Sequence, residues 1–212
     1  MRRSAPYFGI TFFLAGLLFL VSVVPEAEAQ ALRVRPAEPV CELPKGAFEG
    51  RRIMAAPTFA KRQKSATITI NFLTSGSVSD NACKSWPTDA QAAFERAAAT
   101  WESLLESPVP IEVNACWTDD VGGSTLGSAG PLLVSDFPGQ PEPNTFYPLA
   151  LANALAGSDL LSSSVEIQAA FNADRSDWYF GSDPNGIGSG EIDFETVALH
   201  ELGHGLGFVG SA

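Results

Sequence analysis

Three consecutive stretches in the first half of the chain dictate most of its fold. Residues 66–73 alternate, with Ile68, Ile70 and Phe72 on one face and Thr67, Thr69 and Asn71 on the other. That is the period-two pattern of a half-buried strand. Residues 88–106 then place Phe94, Ala97, Ala98, Trp101, Leu104 and Leu105 on one helical stripe and turn Gln91, Glu95 and Glu102 toward water. Thr88 and Gln91 have the form of a capping box at the start of that helix. Residues 110–117 alternate again, Ile111, Val113, Ala115 and Trp117 against Glu112, Asn114 and Cys116. A strand, a helix and a strand in this spacing predict a parallel pair joined by a right-handed crossover. Both strands alternate, so one sheet face is polar and helices are expected on the other face only. The expected class is α+β, built on a mixed, mainly parallel twisted sheet.

The same unit brings two cysteines together. Cys83 lies between the first strand and the helix, and Cys116 near the end of the second strand. In a parallel strand–helix–strand unit both positions fall at one edge of the sheet, which predicts a Cys83–Cys116 disulfide. Three cysteines in all are too few for a disulfide-built scaffold but suit an oxidising compartment. The N-terminus agrees. Arg2 and Arg3 precede an apolar run over residues 8–24, and Ala27-Glu28-Ala29 follows as a small-x-small cleavage site. Residues 1–29 read as a signal peptide cut after Ala29, with an uncleaved anchor as the alternative. The expected location is secreted or periplasmic.

Residues 30–64 read as an extended, pro-like leader lying on the domain. Pro36, Pro39, Pro44 and Pro57 punctuate it, with basic clusters at Arg51-Arg52 and Lys61 to Lys64. Residues 65–212 form the domain proper. With 45% hydrophobic residues over 212 positions, there is enough apolar material for one real core. A net charge of −11 excludes nucleic acid and an anionic membrane surface as stable partners. Residues 121–131 are glycine-rich with a short extended piece near Thr125, and residues 165–172 alternate as a strand. Either one can be the edge that pairs with an extended peptide. Residues 149–156 read as a short helical turn and 174–191 as a polar loop.

The chemistry sits in the last helix. His200 and His204, the two histidines of the chain, stand one turn apart with Glu201 beside the first. On a helix both imidazoles share a face and can reach one zinc ion. Glu201 follows His200 by about 100° and so flanks the metal, placed to act as general base on its water. Asp193 is the expected N-cap, with Glu195 in the positive first turn. Gly203, Gly205 and Gly207 are costly inside a helix, which predicts close backbone approach, and Gly207 is the expected left-handed stop.

The run His200-Glu201-Leu202-Gly203-His204-Gly205-Leu206-Gly207 resembles the HExxHxxG opening of the metzincin metallopeptidases, and the preceding strand–helix–strand order is similar to their upper subdomain. The resemblance implies zinc ligation by His200 and His204, catalysis by Glu201, and a protein or peptide substrate. Matrixins and astacins place a third histidine where this chain has Gly210. Leishmanolysin-like members carry HExxHxxGF, which Gly207-Phe208 matches better, and bring the third histidine from beyond an insertion. The family's Met-turn has no counterpart, because Met1 and Met54 both precede the helix. The third ligand is therefore expected past Ala212, and the chain is expected to be the N-terminal part of a longer peptidase or a degenerate relative. Cys41, flanked by Pro39 and Pro44, loosely resembles the cysteine switch of matrixin propeptides; the alternative is a cysteine paired beyond the chain. The leading functional expectation is a secreted zinc metalloendopeptidase. The alternative is a non-catalytic extracellular binding or adhesion module.

Overall fold

The computed structural model describes residues 31–36, 66–122 and 124–208. In chain order these form β1 (Arg33–Pro36), β2 (Ile68–Leu73), a hairpin of β3 (Ser77–Val78) and β4 (Asn81–Ala82), α1 (Thr88–Glu102), β5 (Ile111–Thr118), β6 (Gly127–Ser135), β7 (Tyr147–Pro148) and α2 (Leu149–Ala156). They continue with β8 (Ile167–Asn172), β9 (Trp178–Tyr179), β10 (Ile192–Asp193) and α3 (Phe194–Gly205). The segments read as signal peptide and, for the most part, leader, with the candidate switch Cys41, and Gly210 lie outside the described residues.

Strands β2, β5 and β8 run parallel, with Ile68 opposite Ile111 and Val113 opposite Ile167. Beyond β8 the direction reverses. β6 pairs antiparallel with β8 along 127–131, then with β7, while β1 pairs antiparallel on its outer side along 132–135. The order across the sheet is β1-β6-β8-β5-β2. The fold is α+β with a mixed, partly parallel sheet, as the alternation predicts.

One face carries Ile68, Ile111, Val113, Ala115, Trp117, Ile167, Ala169 and Phe171, and both α1 and α3 pack on it. Trp86 sits at the centre of that core. Its ring stacks on Phe94, tilts against Trp117, and donates its indole N–H to the carbonyl of Ala115 at 3.1 Å. Phe194, the first residue of α3, meets Phe171 at 5.1 Å and thereby ties the last helix to the middle of the sheet. The opposite face holds the Cys83–Cys116 disulfide, which packs with Val78 and Ala170 under the β3–β4 hairpin. The two Cα atoms are 5.0 Å apart, within bridging range.

Four expectations change. The capping box at Thr88 does not form: Pro87 is the N-cap and no side chain caps the first turn. Proline's fixed φ already suits a helix start, and no side-chain bond is needed to set it. The helix ends at Glu102 rather than 106, leaving Leu104 exposed. Glu102 does not face water; it is buried and accepts the Ile68 N–H at 2.8 Å. β2 is an edge strand, so a backbone donor that meets no neighbouring strand takes a carboxylate instead. Finally, of the two candidate substrate-pairing strands, β8 is interior, and β6 keeps an open edge over part of its length. Along 127–131 its outer side pairs with no described strand.

Candidate metal centre

Helix α3 is fixed at both ends. At its start Asp193 accepts the Thr196 N–H at 3.1 Å and the Thr196 hydroxyl at 2.6 Å, the N-cap that the sequence predicts. Glu195 in the first turn meets the guanidinium of Arg96 on α1 at 2.6 Å, and the same guanidinium donates to the carbonyls of Phe180 and Gly181. At its end the chain closes in a Schellman turn. Gly207 has φ +105°, its N–H donates to His204 O, and the Phe208 N–H reaches back to Gly203 O, both at 3.0 Å. The glycines mark close approach as expected. A Cβ on Gly205 would sit inside van der Waals contact of Ile167, and one on Gly207 would lie 2.5 Å from Pro148.

This frame places the three residues of the motif. The imidazole Nε2 atoms of His200 and His204 converge to 2.8 Å. Nδ1 of His204 lies 2.8 Å from the Phe208 carbonyl, which can only accept, so Nδ1 carries the proton and Nε2 presents a lone pair. Burial lowers the pKa of His200, with the adjacent His204 charge adding to the effect, so the ring favours its neutral form. Glu201 is fully buried, and neither carboxylate oxygen meets a hydrogen-bond donor at bonding geometry. Burial pushes its carboxyl up to about 8, against a smaller opposing pull from the Ala129 N–H of β6.

The residues fit a divalent zinc ion of the borderline-soft, imidazole-binding type. Two imidazoles bring their Nε2 atoms to 2.8 Å, and Glu201, the next residue after His200, is a buried carboxyl that no donor meets at bonding geometry. A carboxylate so placed is costly unless a cation or a proton donor joins it. Among the described residues no cluster of three or more His, Cys, Asp or Glu side chains forms a metal site. Three contributors are hidden from a reading of residue types alone: the Phe208 carbonyl, the Ala129 N–H and the Trp101 indole, which donates to Leu199 O at 2.9 Å. Only the first leaves a sequence signal, the Gly207-Phe208 pair that ends the helix.

Comparison with known proteins places these features. The sequence pattern of the SPBPB7E8-like family matches residues 38–212. The chain is 29% identical over 167 residues to an uncharacterised protein of Schizosaccharomyces pombe, covering 71% of this chain and 28% of the yeast protein. It thus spans little more than a quarter of that relative's length. No solved structure matches. These findings correct the metzincin assignment, since the family that matches is the SPBPB7E8-like family and the relative found is an uncharacterised protein, not a metzincin. The physical reason is the size of the motif. A few residues on one helical turn suffice to bind a metal and can arise on many scaffolds.

Proposed function

We propose that this chain, a member of the SPBPB7E8-like family, carries a zinc site on His200 and His204 and hydrolyses peptide bonds with Glu201 as general base. The observation that carries the reading is the convergence of two imidazole Nε2 atoms beside a fully buried carboxylate that has no donor. Zinc, when bound, supplies Lewis acidity and makes a water nucleophilic near neutral pH. Glu201 takes a proton from the attacking water and returns it to the leaving amine. His204 and His200 hold the cation as neutral ligands. A peptide substrate is favoured by the open outer edge of β6 along 127–131, beside the Ala129 N–H, where an extended chain can add as a strand. Export fits the Cys83–Cys116 disulfide, which persists in an oxidising compartment.

Catalytic zinc sites use three protein ligands, and the described residues supply two. A third donor would come from outside them, and the two described ligands by themselves are expected to hold zinc loosely and turn over slowly. That count also favours the second reading, a non-catalytic extracellular binding module.

The test is zinc stoichiometry on the purified full chain together with cleavage of casein. Zinc should bind one per chain and be lost in His200→Ala and His204→Ala. Glu201→Gln should keep the metal while slow, chelator-sensitive cleavage falls about 10²–10⁴-fold. A chain that takes up no zinc sinks the proposal. Zinc without any cleavage selects the binding module.

A further inference from the structure

Phe208 is 64% exposed, the most exposed large apolar side chain among the described residues, although it directly follows the motif helix. Its ring is nevertheless held. It stacks on Trp101 with centroids 5.5 Å apart and planes at 26°. Trp101 is fixed in turn by its indole N–H, which donates to Leu199 O at 2.9 Å. The Trp101 Cζ2 stands 3.3 Å from where a Cβ on Gly203 would be, so the indole edge packs closely on the helix there. The ring of α1 therefore touches α3 just before His200, just before His204, and at Phe208.

The main chain of Phe208 explains the arrangement. Its N–H closes the Schellman turn on Gly203 O at 3.0 Å, and its carbonyl accepts the Nδ1 proton of His204 at 2.8 Å. With the ring pinned by Trp101, the carbonyl cannot swing away from the imidazole. An exposed ring adds little to a core, so stability alone does not account for it.

We propose that Trp101 and Phe208 are positioning residues for His204: their stack holds the Phe208 carbonyl on Nδ1 and so keeps the ring in the tautomer that offers its Nε2 lone pair to the metal. This rests on the reading of His204 as a zinc ligand. It also fixes the proton between the two rings. His204 Nε2 accepts, and His200 Nε2 donates across the 2.8 Å contact in the metal-free protein. Zinc binding at His200 Nε2 would require that proton to move to Nδ1 of the same ring, which keeps the ligand neutral.

Two measurements on the full chain decide the matter. The first is the tautomer of His204 by nitrogen-15 NMR in metal-free protein, at a pH where the ring is neutral. Wild type and Phe208→Tyr should show the Nδ1-protonated form, and Phe208→Ala should shift toward the Nε2-protonated form. The second is zinc affinity by competition with a chromophoric chelator. Phe208→Ala should bind about tenfold more weakly, the lower end for loss of an outer-shell partner, and Phe208→Tyr should restore it. Urea midpoints serve as the control and should not change for either variant. If Phe208→Ala keeps both the wild-type tautomer and the wild-type affinity, the positioning role is overturned. If wild type takes up no zinc, the metal reading falls, and the tautomer, measured without metal, still decides whether the stack holds the ring.

Discussion

At the scale of single residues, the two tight glycines of α3 are not equivalent. A methyl group on Gly205 would run into Ile167, which is fully buried and β-branched, whereas one on Gly203 meets only the rim of Trp101 at 3.3 Å. Gly205→Ala should therefore destabilise by about 1–3 kcal/mol through overpacking, despite its better helix propensity. Gly203→Ala should lie within about 0.5 kcal/mol of wild type, the crowding offset by that same propensity. Urea unfolding of the two variants checks the contrast. The glycine pattern was legible in the sequence as a sign of close approach, but which glycine was the critical one was not. That depends on Ile167, a residue from another strand. The two histidines and Glu201 were legible because their spacing alone puts them on one turn. Glu102 was not, since nothing in a helical stripe reports that β2 beside it is an edge with an N–H to satisfy.

At the scale of elements, α3 owes its position to its ends and α1 to its face. Removing the N-cap by Asp193→Ala frees the Thr196 N–H and hydroxyl and should cost about 1 kcal/mol, read as a lower urea midpoint. His200 and His204, the proposed zinc ligands, lie about two and three turns away, so zinc stoichiometry should stay at its wild-type value. Strands and helices with clear periods, β2, α1, β5, β8 and α3, could be read within a few residues of their ends. β1 could not, because Arg-Val-Arg-Pro has too few residues to show a period and is fully exposed. β6 was only half legible: its first residues, Gly127-Ser-Ala-Gly-Pro131, look like loop until β8 pairs with them. Its partner decides its conformation, as strand propensity depends on context.

At the scale of the whole molecule, one covalent link and one buried carboxylate govern stability. The disulfide closes a loop of 33 residues and should contribute about 4 kcal/mol by the chain-entropy relation; reduction, or Cys83→Ala with Cys116→Ala, should lower unfolding stability by that order. Glu166, just before β8, is buried and accepts the N–H of Glu112 in β5 at 2.7 Å and the side-chain amide of Asn153 in α2 at 2.8 Å. Burial raises its pKa above the usual glutamate value, outweighing those bonds. A raised folded pKa means its contribution is complete below the unfolded value, near 4.5, and is lost as pH rises through the folded one. The stability of wild type minus that of Glu166→Gln should therefore fall as pH rises across that window. Urea titrations at stepped pH measure it. The parallel pairing of β2 and β5 and the disulfide could be foreseen because they are local in sequence. The closure of the sheet by β1 could not, because its partners are remote: Arg33 pairs with Ser135 and forms an ion pair with Asp136 at a separation of 103 residues. That separation sets a schedule for synthesis. At the usual 5–20 residues per second, roughly 5–20 s pass between the emergence of β1 and of the strand that receives it. Through that interval β2, α1 and β5 can complete their own unit, while the basic first strand waits in the open. It takes its place only when β6 has left the ribosome, and β8, made later still, then joins that pair to β5 and completes the sheet.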